Sequence, residues 1–309
     1  MNAIALKIDV DTLRGTREGV PQLQSLLLAH QARATFLFSL GPDHTGRAVK
    51  RVFRKGFLGK VQRTSVLEHY GLKTLLYGTL LPGPDIGLKA AEPMRATEAA
   101  GFETGIHTWD HVAWQDGVVQ ASAAWTERQM RLAEDRFKAV FGHSARIHGA
   151  AGWQMNDAAF RHLDDAGFEW SSDTRGTGPF IPVIAGRPCR CPQLPTTLPT
   201  LDELIGIGGL DASNVAGHLL RLTAEPPVSA HVFTLHAELE GMRLAPVLDT
   251  LLSGWREQGY RLVSLGELGK SIDPSALPRC TVLRGAVAGR SGTLALQGEQ
   301  LPDSPLHFS

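Results

Sequence analysis

Four residues have the types and the spacing that a catalytic metal site requires: Asp9, Asp11, His107 and His111. Asp9 and Asp11 are two positions apart, so an extended strand would place both carboxylates on the same face. His107 and His111 are four positions apart, so both could project from one side of a helical turn and reach one ion. Two histidines and one carboxylate fill three coordination positions and leave the others to water and substrate. The two pairs therefore predict metal-assisted hydrolysis, although either pair alone is also common in ordinary turns.

Two more polar residues follow apolar, strand-like segments. His236 comes directly after residues 232–235, and Asp173 comes directly after residues 168–172. A histidine can deliver a proton near neutral pH, and a nearby carboxylate favours its charged form. Asp173 is the first candidate for that carboxylate and Glu238 is the second. A purely structural histidine is the alternative interpretation of His236.

The elements that must position these residues alternate between strand-like and helix-like segments. The strand candidates are residues 4–10, 33–40, 102–107, 145–150, 168–172, 191–196, 231–237 and 260–264. The helix candidates are residues 16–31, 89–100, 125–141, 156–166, 211–224 and 243–258. Repeated β-then-α units predict an α/β fold with a parallel sheet, closed or nearly closed into a barrel, with an open doubly wound sheet as the alternative. In such barrels the chemistry lies at the carboxyl ends of the strands, where all the candidate residues fall.

Two regions interrupt this alternation. Residues 42–88 contain no clear βα unit and are interpreted as an insertion. Residues 273–309 are rich in glycine and proline and are interpreted as a C-terminal tail that follows a catalytic barrel of residues 1–272.

Composition restricts the class of protein. The formal net charge is zero, so charge gives no indication of a nucleic-acid partner. Three cysteines are too few for a disulfide framework and favour a reducing compartment, the cytoplasm. The N-terminal residues lack the pattern of a signal peptide, and no run of about 18 apolar residues suggests a membrane-spanning helix.

The motifs resemble those of the polysaccharide deacetylase family, whose shared domain is the NodB-homology domain. The closest resemblance is to its ArnD-type branch, the deformylases that act on 4-deoxy-4-formamido-L-arabinose-phosphoundecaprenol. The matching segments are Asp9-Val10-Asp11 with its continuation to Pro21, His107-x-x-x-His111, Ala150-Ala151-Gly152-Trp153, Leu198-Pro199-Thr200 and His236-Ala237-Glu238. The resemblance covers roughly residues 3–270.

The resemblance implies a distorted (β/α) barrel of seven to eight units and a role for each matching residue. Asp9 would be the general base, and Asp11, His107 and His111 would bind a divalent metal ion. His236 would be the general acid. The donor set suits zinc, cobalt, manganese or iron equally well. Trp153 and Glu238, which lie in two of the matching segments, are assigned to substrate binding.

One departure from the family pattern concerns the general base. Other family members have an arginine that braces the catalytic aspartate, in the region that corresponds to residues 148–152. Here that region reads His-Gly-Ala-Ala-Gly. The brace of Asp9 must therefore come from elsewhere or be missing.

The implied substrate is a lipid-linked formamido sugar, and the implied reaction gives formate and the 4-amino sugar on its lipid carrier, for lipid A modification and resistance to polymyxin. Arg14 and Arg17, with Thr16 as a helix N-cap, could bind the phosphate of such a substrate, or they could be two solvated arginines. An N-deacetylase acting on a polysaccharide or another amino sugar is the first alternative function. A non-catalytic carbohydrate-binding barrel is the second.

The insertion predicts contact with the cytoplasmic face of the inner membrane. Seven basic residues and no acidic residue lie between Arg47 and Arg63, interleaved with apolar side chains, and an apolar segment follows at 75–81. Cations and apolar groups in such a pattern suit an anionic membrane interface. A solvated basic face over a barrel helix is the alternative interpretation.

Overall fold

The first strand of the chain is the central strand of a curled parallel sheet. The computed structural model describes residues 2–48, 74–225, 227 and 229–302. Within these residues seven parallel strands form one sheet in the order β5-β4-β3-β2-β1-β8, and β9 pairs with the first part of β1. The strands are β1 (Ala3–Val10), β2 (Thr35–Ser39), β3 (Glu103–Thr108), β4 (Ile147–His148), β5 (Trp170–Ser171), β8 (His231–His236) and β9 (Arg261–Val263). All eight residues of β1 are buried.

The gap between the two edge strands, β5 and β8, is spanned by an extended but irregular segment, residues 192–198. The amide of Ser171 donates to the carbonyl of Pro192 (3.0 Å), and the amide of Leu194 donates to the carbonyl of Ser171 (2.7 Å). At the other side, the amide of Thr197 donates to the carbonyl of Val232 (3.1 Å). The predicted strand at 191–196 is therefore this segment, and the predicted distorted (β/α) barrel is confirmed.

Helices cover the outside of the sheet in the predicted order. They are α1 (Val20–Ala29), α2 (Ile86–Lys89), α3 (Ala91–Ala99), α4 (His111–Gly117), α5 (Ala123–Phe141), α6 (Asp157–Ala166), α7 (Leu201–Leu204), α8 (Val215–Leu222), α9 (Ala245–Glu257) and α10 (Leu265–Lys270). The short helical turns are a π-helical turn (Gly15–Gly19) and the 3₁₀ turns Val118–Gln120, Ala151–Trp153 and Pro274–Ala276. Gly142 and Gly167 end α5 and α6 in the left-handed conformation, which closes a helix before a strand.

A second, four-stranded sheet lies outside the barrel and includes much of the C-terminal segment. Its order is β11-β10-β6-β7, and its strands are β6 (Ile181–Ile184), β7 (Arg187–Pro188), β10 (Arg279–Gly285) and β11 (Leu294–Gln300). β10 pairs in parallel with β6, a contact between segments almost a hundred residues apart. The segment interpreted as a tail thus contains a β-hairpin, because a pairing partner from the barrel region is available to it.

Part of the predicted insertion lies outside the described residues. Residues 49–73, which carry most of the basic run, are among them. The described ends of the insertion meet in an antiparallel bridge between Pro42 and Asp85. Within the described parts of the chain, every helix is too short or too polar to cross a lipid bilayer. The three cysteines are buried and form no disulfide.

Candidate active site

The carboxyl ends of β1, β3 and β8 bring the predicted chemical groups together. Asp9 and His236 are register partners on the neighbouring parallel strands β1 and β8. Asp11 follows the end of β1, and His107 lies in β3. His111 begins α4, the helix that follows β3. The convergence arises because parallel strands present their carboxyl ends at one edge of the sheet.

Asp11, His107 and His111 form a group that could hold a divalent metal ion. One ligand atom from each lies within 4.8 Å of the others. Nε2 of His107 is 3.3 Å from Oδ1 of Asp11, and Nε2 of His111 is 3.5 Å from Oδ2 of Asp11. Oδ1 of Asp11 is buried and has no hydrogen-bond partner within the described part of the chain. A buried carboxylate oxygen without a partner is costly, and a metal ion would satisfy it.

The surroundings fix the orientation of the two histidines. Nδ1 of His107 donates a hydrogen bond to the carbonyl oxygen of Gly149 (2.6 Å), so Nε2 is left for the metal. Asp110 caps α4 by accepting a hydrogen bond from the amide of Ala113 (3.0 Å), and Nδ1 of His44 donates to the same carboxylate (2.6 Å). His111 is therefore held in the first turn of a capped helix.

Electrostatics favour the unprotonated forms that metal ligands need. Burial alone would raise the pKa of Asp11, but the charge of His111 and the interaction with His107 together outweigh burial and lower the pKa. Burial lowers the pKa of His111, which favours its neutral form. The three residues thus fit a divalent cation both in geometry and in charge state.

Asp9 lies beside the metal ligands with its two oxygens in different surroundings. Oδ2 is 3.3 Å from Nζ of Lys7, and Oδ1 is 3.6 Å from Nδ1 of His107. Oδ1 is buried and has no hydrogen-bond partner among the residues that the structure describes.

Lys7 was not among the residues predicted from the sequence. The signal that could have found it is a lysine two positions before Asp9, on the same face of an otherwise apolar strand.

His236 has the charge environment of a proton donor. Burial lowers its pKa, but the negative charges of Asp202, Asp11 and Asp9 act in the other direction and raise it above the ordinary value. Asp202 makes the largest of these charge contributions. It lies in α7, directly after the segment that spans the gap in the barrel. The sequence analysis missed Asp202, because that segment has no regular period from which to infer its neighbours.

Asp173, the carboxylate predicted to accompany His236, has a different partner in the structure. It accepts a hydrogen bond from Nδ1 of His148 (2.7 Å), one from the amide of Ala150 (2.7 Å) and one from Gln193 (3.0 Å). Burial alone would raise the pKa of Asp173, but the charge of His148 and these three hydrogen bonds together outweigh burial and lower the pKa. Asp173 therefore anchors the turn that follows β4.

Glu238 is buried beneath the end of β1, where it supports the backbone of Asp11. Its Oε1 accepts hydrogen bonds from the amides of Asp11 (3.1 Å) and Thr12 (2.9 Å) and from the hydroxyl of Thr12 (2.7 Å). Burial, together with the charge of Asp11, raises the pKa of Glu238 to about 8. A Cβ on Gly15 would lie 1.9 Å from the same oxygen, so the glycine is required for this contact. With 1% of its surface exposed, Glu238 holds the loop after β1, and its assignment to substrate binding stays a prediction.

Trp153 is also buried, with 1% of its surface exposed. Its indole nitrogen donates a hydrogen bond to the hydroxyl of Thr196 (3.1 Å). Three cations lie near its ring: Lys7 at 5.1 Å, Arg175 at 5.0 Å and Arg290 at 4.8 Å. Trp153 therefore packs among these cations, and its assignment to substrate binding stays a prediction.

Arg14 and Arg17 lie on the first helical turns after β1. Nε of Arg14 is 2.9 Å from Oε2 of Glu18, and the exposed Arg17 donates to the carbonyl of Lys89 (2.8 Å). The predicted N-cap, Thr16, is not the capping residue. The hydroxyl of Thr12 accepts from the amide of Gly15 (2.9 Å) and so takes that position. The assignment of the two arginines to phosphate stays a prediction.

Comparisons with known proteins identify relatives that match almost the whole chain. A curated sequence from Shewanella sediminis (strain HAW-EB3), named as a probable 4-deoxy-4-formamido-L-arabinose-phosphoundecaprenol deformylase ArnD, is 35% identical over 298 residues. The match covers 96% of this chain and 95% of that relative. A second sequence of the same name, from Wigglesworthia glossinidia brevipalpis, is 29% identical over 92% of this chain and 98% of its own length. No protein-family model matches the chain.

Among solved structures, the fold is similar to that of a protein described as a polysaccharide deacetylase from Mycobacterium smegmatis. The TM-score is 0.62, and the match covers 93% of this chain and 96% of that one. Sequence identity is 15%, so this similarity concerns the fold alone.

Proposed function

The chain belongs to the ArnD family of 4-deoxy-4-formamido-L-arabinose-phosphoundecaprenol deformylases, and on that premise we propose that it is a metal-dependent amide hydrolase acting on this formamido lipid. The products are formate and the 4-amino-4-deoxy-L-arabinose lipid. The amino sugar that this lipid carries is used to modify lipid A in resistance to polymyxin and other cationic peptides. The observation that carries the proposal is the identity of 35% over 96% of the chain. The Asp11, His107 and His111 group supports it independently.

The proposed mechanism assigns a task to each side chain. Asp11, His107 and His111 would hold a divalent ion (zinc, cobalt, manganese or iron), which when bound would supply Lewis-acid polarisation for amide hydrolysis.

Asp9 accepts the proton of the attacking water through its unpartnered oxygen Oδ1. His236 then donates a proton to the leaving nitrogen, a role supported by its raised pKa. The bond between the carbonyl carbon and nitrogen breaks, and formate and the free amine leave.

The test of this function is mass spectrometry of the lipid-linked formamido sugar after incubation with metal-loaded protein. We expect the substrate to lose one formyl group and formate to accumulate in equal amount, because the site contains a base, an acid and a metal-binding group. The matched control is the acetamido analogue of the same lipid. Faster release of acetate than of formate would identify an N-deacetylase, and tight binding without release of either acid would identify a carbohydrate-binding protein.

We also propose that residues 47–81 attach the protein peripherally to the cytoplasmic face of the inner membrane. The lipid-linked substrate and the basic sequence between Arg47 and Arg63 support this proposal. Within the described residues, the support is a set of exposed leucines at the C-terminal end of the insertion. Leu80 and Leu88 have 77% and 69% of their surface exposed, and Leu76 and Leu81 are also exposed. Exposed apolar side chains next to cations suit a lipid interface.

Sedimentation with anionic liposomes tests this attachment. Each cation near an anionic leaflet contributes about 1 kcal/mol, so Arg51→Glu/Arg54→Glu/Lys55→Glu should reduce binding by two or more orders of magnitude. Turnover of a short, water-soluble prenyl analogue should persist in this variant, while turnover of vesicle-borne substrate falls. The control reverses three exposed arginines elsewhere, Arg131, Arg146 and Arg190, with the same change in net charge. Equal liposome binding by the two triple variants would exclude residues 47–81 as the attachment.

A further inference from the structure

Lys7 is a buried cation in the middle of the central strand. Its side chain has no exposed surface, and every other residue of β1 before Asp9 is apolar. Burying an ammonium group is unfavourable unless an opposite charge compensates it. Oδ2 of Asp9, at 3.3 Å, supplies that charge. The two side chains share one face of β1 because they are two positions apart.

The turn after β4 is shaped to accommodate this lysine. A Cβ on Gly149 would lie 2.4 Å from Cδ1 of Leu37, 2.9 Å from Cε of Lys7 and 3.4 Å from Nζ of Lys7, so a larger residue would displace both side chains. The ring of Trp153 lies on another side, 5.1 Å from Nζ. Trp153 itself has a φ of 51°, a left-handed conformation that is unfavourable for a tryptophan and persists only where the surroundings enforce it. Nζ thus lies beside an aromatic ring and forms an ion pair with one oxygen of Asp9, with no hydrogen-bond partner among the described residues.

We propose that Lys7 is the positioning residue of the hydrolysis: its ammonium group holds Oδ2 of Asp9 and thereby directs Oδ1 towards the metal ligands. This inference rests on the proposed function, in which Asp9 is the base. Two observations carry it. One is the 3.3 Å contact of Lys7 with Oδ2, and the other is the absence of a hydrogen-bond partner for Oδ1 among the described residues. The turn at 149–153 supplies no charged side chain that could do the same.

A double-mutant cycle between Lys7 and Asp9 tests the proposal. Lys7→Met should lower kcat on the formamido lipid by about 100-fold, the effect expected when a reacting group is misplaced by about 1 Å. KM should change by less than about threefold, because substrate binding does not depend on the orientation of the base. In an Asp9→Asn background, Lys7→Met should lower kcat by less than about threefold further, because Lys7 acts through Asp9. Lys7→Arg keeps a cation within reach and should restore most of the rate.

Two measurements separate this role from a structural one. Metal content and thermal denaturation should be unchanged in Lys7→Met, and Lys7→Gln enters the same cycle if the methionine variant does not fold. The matched control is Lys270→Met, an exposed lysine at the end of α10, which should retain the full rate.

The outcomes distinguish the proposal from the function on which it rests. An equal fractional loss on substituting Lys7 in both backgrounds, or no loss in either, would overturn the role of Lys7. A near-normal rate in Asp9→Asn alone would overturn the assignment of the base instead.

Discussion

Replacement of His107 or His111 by alanine is expected to abolish deformylation and to reduce bound metal, while the barrel remains folded. Each variant removes one of three ligand groups that lie within 4.8 Å of one another. The loss in turnover should exceed the roughly 10–100-fold that follows loss of a group supporting a metal ligand. The fold should survive because the apolar core of the barrel does not depend on either imidazole.

Elemental analysis and circular dichroism of the purified variants check this prediction. His143→Ala provides the control, because His143 lies on the surface and contacts Glu98, away from the metal ligands. It should bind metal and turn over substrate as the unmodified protein does. Retention of near-stoichiometric metal in both His107→Ala and His111→Ala would contradict the assigned metal site.

Replacement of His236 by alanine should keep the metal and lose turnover of the amide. An amine leaves an amide only when it is protonated, and general acid catalysis typically contributes about 10²–10⁴-fold. Carboxylates around His236 raise its pKa and so maintain the proton that it would donate. A formate ester with a nitrophenol leaving group needs no such proton. The factor by which His236→Ala lowers the rate should therefore be much smaller on this ester than on the formamide.

Parallel kinetics on the two substrates, with metal content measured for each preparation, provide the test. His231→Ala is a matched control, because His231 begins the same strand that His236 ends. It should lower neither rate by more than a few fold. If His236→Ala loses the same factor on amide and ester, His236 has a role other than protonating the leaving group.

Local spacing in the sequence was sufficient to predict the class of fold and to predict that Asp11, His107 and His111 come together. Two aspartates two positions apart on a strand must share a face, and two histidines four positions apart can be brought to one side of a helical start. Strand ends in a parallel sheet meet at one edge, so the pairs found in β1 and β3 had to converge. The same periodicity gave the α/β barrel, because each buried strand and each amphipathic helix is a local pattern.

The partners of these residues depended on the tertiary structure. Asp173 and Asp202 are both acidic residues after extended segments, yet Asp173 pairs with His148 while the charge of Asp202 acts on His236. The irregular closing segment at 192–198 decides this arrangement, and its hydrogen bonds connect distant strands without a repeating pattern.

The burial of individual side chains also depended on the tertiary structure. Trp153 and Glu238 lie in motifs that the resemblance relates to substrate, and the structure buries both, Trp153 beside Lys7 and Glu238 beneath the amide of Asp11. Lys7 became a neighbour of Asp9 with no free space around it only once the turn after β4 packed against β1. Sequence spacing fixes the face on which a side chain lies. Contacts between segments far apart in the chain decide which groups face that side chain across the barrel. Those contacts exist only in the folded protein.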